Sequence, residues 1–224
     1  MRRFIRENSL SIVFLLLFIG ALTGQAVSGH ADYNDQAVRH GDSTISFGRY
    51  LVSSDFGVDV MENWQSEYLQ FTLMILLTVW LLQRGSPESK KLDQGGRESD
   101  QRQKVGPYAQ QNSPRWAKVS GIRRKLYENS LVLVMGTIWL GTWFAQSVTG
   151  RVEYNSEQID HQMATLGWWQ YIGTSDFWNK TLQNWQSEFL AVGSMAILAV
   201  YLRQRGSPES KPVGAPHTST GIEG

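Results

Sequence analysis

Residues 123–211 repeat residues 2–90 at a constant offset of 121 and without a gap. Arg2 matches Arg123, Glu7-Asn8-Ser9-Leu10 matches Glu128-Asn129-Ser130-Leu131, and Gln25 matches Gln146. Tyr33-Asn34 matches Tyr154-Asn155, His40 matches His161, Tyr50 matches Tyr171, and Ser54-Asp55-Phe56 matches Ser175-Asp176-Phe177. Two phrases are identical in both copies: Asn63-Trp64-Gln65-Ser66-Glu67 recurs as Asn184–Glu188, and the eight residues Gln83–Lys90 recur as Gln204–Lys211. A tandem duplication of this kind limits the fold, because each copy is one supersecondary unit and its partner must repeat it.

Each copy holds two apolar blocks. In the first copy they are Ser9–Val27 and Tyr68–Leu82, and in the second Leu131–Val148 and Phe189–Leu202. A bilayer core of ~30 Å takes about 20 helical residues. The first and third blocks have that length as they stand. The second and fourth reach it when extended back to Trp64 and Trp185, which brings in Glu67 and Glu188. Met1–Ala31 also has the layout of a secretory signal peptide: a basic start, an apolar run and small residues near Ser28-Gly29. Its copy at Arg123–Gly150 has the same layout in mid-chain. Both are therefore read as retained helices.

Charge orients the helices. The Met1–Arg6 arm carries three basic residues, and the connection Gln83–Ser130 carries eleven basic against five acidic. The loops Ser28–Ser66 and Thr149–Ser187 carry two basic residues each against six and four acidic ones. The positive-inside rule then puts both termini and the connection in the cytoplasm and both loops outside, as expected of a multi-pass protein of the plasma (inner) membrane. Two spans per copy give both copies the same orientation, so the expected fold is all-α: four transmembrane helices in two parallel hairpin repeats. Residues 2–90 form repeat 1 and residues 123–211 repeat 2. Residues 91–122, rich in Gln, Ser, Gly and charge, read as a flexible cytoplasmic linker, and residues 212–224 as a disordered tail. Leu166–Ile172 and Ile45–Val52 read as short amphipathic helices at the interface.

The repeated pentapeptide is the leading candidate site. Trp64 and Trp185 suit the headgroup layer. Glu67 and Glu188 fall about one turn inside the outer boundary. There they act either as first-turn anions favoured by the helix dipole or as a facing pair of carboxylates in the bundle. Asp59 with Glu62 suits a capping box in the first copy. Gln25 and Gln146 are expected at a similar depth, as hydrogen-bond partners within each hairpin or as part of one polar cavity. His40, His161, Asp55 and Asp176 recur in the loops. They offer a metal site only if the fold gathers them, and Ser54-Asp55 and Ser175-Asp176 read more simply as helix caps. Gly85 and Gly206 suit helix C′ positions, with Pro87 and Pro208 blocking continuation.

Several classes drop out. The chain has no Cys, which removes disulfides, thiolate chemistry and Cys-ligated metals. A net charge of +1 suggests no nucleic-acid partner. No nucleophile elbow, phosphate loop or dinucleotide fingerprint is present, so no cofactor and no enzymatic activity is expected.

The opening Arg2–Phe18, the loop phrase Gly48-Arg49-Tyr50-Leu51, the stretch Asn63–Leu69 and the ending Gln83–Lys90 resemble a bacterial family of duplicated membrane proteins known only as a domain of unknown function. The resemblance spans nearly the whole chain apart from the linker and tail. It implies a multi-pass membrane protein and assigns no catalytic residue. The expected role is therefore structural or interactive, with an outward-facing polar site at the repeat interface. The expected partners are the bilayer and either a second copy or another membrane protein. A small transporter or ion pathway through Glu67 and Glu188 is the alternative, and a membrane enzyme with its site in the outer loops is a weaker one. Thr72, Thr78, Thr137 and Ser194 are few polar groups with which to line a path.

Overall fold

The computed structural model describes residues 2–222, so the last two residues of the tail lie outside it. Eight α-helices follow one another: α1 (Arg2–Glu7), α2 (Ser9–His40), α3 (Phe47–Tyr50), α4 (Ser54–Leu77), α5 (Ile122–Glu128), α6 (Ser130–Asp160), α7 (Trp168–Tyr171) and α8 (Ser175–Tyr201). Two single-turn 3₁₀ segments, Gly106–Tyr108 and Arg115–Ala117, interrupt the connection between α4 and α5. Among the described residues there is no strand. The starts of α2, α3 and α4 and those of α6, α7 and α8 differ by 121 residues, the offset of the sequence matches.

Two helices, α2 and α6, are long and apolar enough to cross a membrane. α2 is apolar on all sides over its first half. Leu10 is 72% exposed, Phe14 64% and Leu16 63%, and Val13, Leu15 and Leu17 are exposed as well. A helix apolar all round that the protein itself does not cover suits an apolar surrounding.

Both long helices run well past their apolar blocks. α2 does not stop at Val27 but continues to His40. Hydropathy ends where lipid would end, whereas a helix ends where its hydrogen bonds are terminated. Ser28 Oγ donates back to the Gly24 carbonyl at 2.8 Å, and Gln36 Nε2 donates to Asp32 Oδ2 at 2.8 Å, so the polar extension is bonded along its own face. The stop is Gly41, at φ 81°, where Gly41 N donates to Val38 O and Asp42 N to Ala37 O. This is the left-handed cap that glycine takes without a Cβ penalty. α6 ends in the same pattern: Gln162 N donates to Ile159 O and Met163 N to Gln158 O, but Gln162 holds φ 56° with a side chain attached. A non-glycine residue in that region costs about 1–2 kcal/mol. Gln162→Gly is therefore expected to raise stability by about 0.5–1 kcal/mol in denaturant or thermal unfolding, after the entropy cost of glycine in the unfolded chain.

The loops after α2 and α6 are fastened by one device used twice. The Asn34 side chain accepts from Ile45 N at 2.8 Å and donates to Ile45 O at 3.1 Å. The Asn155 side chain accepts from Leu166 N at 2.8 Å and donates to Leu166 O at 3.0 Å. A side-chain amide here takes the place of a paired backbone, satisfying both polar groups of the incoming residue. The single-turn helices α3 and α7 follow directly, inside the segments where short amphipathic helices were expected.

α4 and α8 start ten residues earlier than the blocks extended to Trp64 and Trp185 would have them. Their caps are Ser53, whose Oγ accepts from Phe56 N at 3.2 Å, and Thr174, whose Oγ1 accepts from Phe177 N at 3.3 Å. The caps are thus one residue before the expected Ser54-Asp55 and Ser175-Asp176. Asp55 and Asp176 occupy the first turns, where the helix dipole favours them. Asp59 and Glu62, expected to cap, lie inside α4. α4 ends at Leu77, before the expected Leu82, while α8 continues to Tyr201. Gly85 and Gly206 do hold positive φ, at 87° and 80°, but not as helix C′ residues. They sit in turns closed by Ser86 N to Gln83 O at 3.1 Å and Ser207 N to Gln204 O at 3.2 Å. Ser89 and Ser210 then accept from Gln83 N and Gln204 N, each at 2.9 Å.

By contacts the chain divides into two units, Met1–Val60 with Ser147–Trp168, and Met61–Gln146 with Trp169–Gly224. Each takes residues from both sequence copies. In the first unit Tyr50, Val58, Val60 and Ala26 are buried, and Gly57 on α4 approaches Thr149 on α6 closely enough that a Cβ would meet its methyl group at 3.0 Å. In the second, Leu69, Tyr171, Phe177 and Val200 are buried together with the polar Gln65, Ser66, Gln146 and Thr181. The last segment is bonded to its surroundings where the sequence suggests disorder. Lys211, 1% exposed, spends its three protons on the carbonyls of Pro216, His217 and Ser219. Burial pushes its pKa down.

Candidate functional site

The two copies of the repeated pentapeptide meet in the second unit. Gln65, on α4, is fully buried, and its Oε1 accepts from the indole Nε1 of Trp185, on α8, at 2.8 Å. The next residue, Ser66, lies beside the Glu188 carboxylate, and Glu67 lies close enough to Glu188 to repel it. Ser66 and Ser187 donate to the carbonyls of Asn63 and Asn184, at 2.9 and 2.8 Å, so each hydroxyl is held against its own helix. One copy therefore supplies an acceptor and a hydroxyl, and the other an indole N–H and a carboxylate.

The dipole account of Glu67 does not survive this geometry. α4 begins at Ser54, thirteen residues before Glu67, and a helix-terminus effect fades within a turn. The same holds for Glu188 in α8, which begins at Ser175. Glu67 is exposed and Glu188 half-buried. Gln146, 1% exposed, donates from Nε2 to Thr181 Oγ1 at 3.5 Å, a residue two helical turns before Glu188. Gln25, half-buried on α2, belongs to the first unit.

The loop residues take separate places. His40 and His161 are exposed at the ends of the long helices. Asp55 accepts from Ser54 Oγ at 3.3 Å. Asp176 accepts from the Tyr171 hydroxyl at 3.1 Å and pairs with Lys180 at 3.8 Å. Among the described residues no group of three or more His, Cys, Asp or Glu is placed to hold a metal ion.

Two features escaped the sequence reading. Around Trp185 lies an aromatic cluster centred on Trp143, whose ring centroid is 5.8 Å from Trp185, 6.1 Å from Trp139, 6.1 Å from Trp178 and 6.2 Å from Phe177. The position matching Trp143 in the first copy is Leu22, so the repeat alone does not mark it. The second is at the other end of the unit. Glu88 and Glu209, matched members of the octapeptide copies, are hydrogen-bonded to each other, and this bond, with burial behind it, pushes the Glu88 carboxyl up from 4.5 to about 7. The signal was available: like Glu67 and Glu188, the two stand 121 residues apart.

A carboxyl pKa raised on folding means that the folded state holds the proton more tightly than the unfolded chain does. The stabilisation is complete below the ordinary carboxylate range and is lost as the pH rises through about 7. The unfolding temperature of the protein in neutral detergent is expected to fall from about pH 5 to about pH 8, and Glu88→Gln is expected to flatten that slope.

A family model described as a domain of unknown function, DUF6766, matches residues 1–222. The chain belongs to this family. No curated protein and no solved structure matches it. Membership of the DUF6766 family covers both copies of the pentapeptide and both copies of the octapeptide, and it assigns a role to neither.

Proposed function

We propose that this DUF6766 protein is a multi-pass protein of the plasma membrane with a structural or interactive role. In this reading it has four spans in two parallel, duplicated hairpins, with both termini and residues 91–122 in the cytoplasm. The pentapeptide copies form its outward-facing polar contact between helices. The observation that carries the reading is the bond from Trp185 to Gln65 at 2.8 Å, made by the two copies of one phrase. Polar side chains that bond across helices are a common means of holding membrane bundles together, worth about 0.6–2 kcal/mol each. The exposed apolar belt of α2 supports a lipid surrounding. The same belt suits a second copy or another membrane protein as a lateral partner.

Glu67 and Glu188, close to one another and unlike in exposure, favour a second reading, a proton or cation pathway. One experiment separates the two. Under the structural reading, liposomes holding the protein show no proton or potassium flux above empty liposomes, and Gln65→Leu lowers the unfolding free energy by about 1–2 kcal/mol. Flux that is present in the wild type and lost in the double variant Glu67→Gln with Glu188→Gln would move the assignment to a pathway. A topology reporter fused after Lys91 is expected on the cytoplasmic side; an external signal would overturn the orientation.

A further inference from the structure

The second unit contains a cavity of 990 Å³ between α4 and α8. Its size is at the upper end of the range for small-molecule sites, about 300–1,000 Å³. Its walls are apolar side chains, among them Leu73, Met74, Leu77, Phe189, Val192 and Met195. Glu88 and Glu209, bonded to each other, stand among its lining residues with Ser86 and Ser89, and Gln70 lines it from α4. The Gln70 Oε1 is buried and has no hydrogen-bond partner among the described residues, leaving an acceptor for a guest. Among the described residues no Lys, Arg or His lines the cavity. The cations nearest in sequence are engaged elsewhere: Lys90 pairs with Glu98 at 3.5 Å, and Lys211 is bound by three carbonyls.

An apolar chamber with two carboxyl groups and no compensating cation is complementary to one class of guest. Glu88 and Glu209 are exposed at its mouth, where an anion meets repulsion and a cation meets a pair of carboxyl groups with no competing basic side chain among the lining residues. We propose that this cavity binds a lipophilic organic cation, an ammonium or phosphonium whose apolar body lies among Met74, Leu77, Val192 and Met195 and whose charge is held between Glu88 and Glu209. The site is distinct from the pentapeptide contact and does not depend on the structural reading given to it.

The test uses the full chain in nanodiscs of phosphatidylcholine, with empty nanodiscs as the blank, and two probes of the same shape and opposite charge, tetraphenylphosphonium and tetraphenylborate. Tetraphenylphosphonium is expected to bind saturably at one site per chain and tetraphenylborate is not. Glu88→Gln with Glu209→Gln is expected to weaken the cation by about tenfold or more, the effect of losing a charge-assisted contact. Ala196→Trp, which fills the chamber, is expected to abolish binding. Each variant is checked for a wild-type elution volume and helical circular dichroism. No saturable binding of the cation, equal binding of the borate, or wild-type affinity in the double glutamine variant would each overturn the proposal.

Discussion

Tyr171→Ala is expected to lower the unfolding free energy by about 3–5 kcal/mol, the range for deleting a buried aromatic side chain. Tyr171 is 1% exposed, packs against Phe177 with ring centroids 5.7 Å apart, and donates its hydroxyl to Asp176 at 3.1 Å. Truncation empties a volume that the backbone of a one-turn helix cannot refill, and it leaves the Asp176 carboxylate with only the looser contact to Lys180 described above. Tyr171→Phe separates the two contributions. It keeps the ring and loses the hydroxyl, so its cost is expected near about 1 kcal/mol. Chemical denaturation of both variants in detergent checks the split. Equal costs would mean that the hydrogen bond, not the packing, holds α7 to the start of α8.

Gly29→Ala carries the second large effect, about 1–3 kcal/mol of destabilisation, as for other overpacked sites. Gly29 lies on α2, where a Cβ would collide with the hydroxyl oxygen of Tyr50. That oxygen is the far end of its side chain, but the ring is 2% exposed and lies tilted against Phe56 and Tyr33, with centroids 5.4 and 5.9 Å away, so it has little room to retreat. The rescue is specific. Tyr50→Phe removes the colliding atom and leaves the ring carbon 3.1 Å from the new methyl group, a distance a small adjustment relieves. The double variant is expected to recover most of the loss. A double variant no more stable than Gly29→Ala would show that the helix backbone, not the contact with Tyr50, sets the cost.

The helices were legible where the sequence carried two kinds of evidence at once. Ser9 and Ser130 begin α2 and α6 as the start of the first apolar block and the matched copy indicate. The far ends were not legible from hydropathy, because Ser28–His40 is polar yet bonded as helix up to the Gly41 cap. The caps of α4 and α8 were misplaced by one residue because Ser53-Ser54 and Thr174-Ser175 each offer two adjacent hydroxyls. Only backbone geometry chooses between them. The repeated pentapeptide stood out, but its pairing did not. That Gln65 meets Trp185 depends on how α4 and α8 pack, which no local pattern records. Trp143 was not legible because its matched position is Leu22, so the repeat does not single it out.

The length of α2 sets a vertical scale. Its 32 residues, at 1.5 Å each, make a rod of about 48 Å. If such a rod starts at the inner edge of a ~30 Å hydrocarbon layer, roughly 18 Å project beyond the far side. The Asn34 clamp is carried on that projecting part, and α6 carries Asn155 in the same way. Asn34 lies about 38 Å along the rod from Ser9, so on that scale the clamp falls roughly 8 Å past the hydrocarbon, at the depth of the headgroups. The helix end at His40, about 16 Å past such a layer, would then be the part of α2 that a soluble partner reaches first.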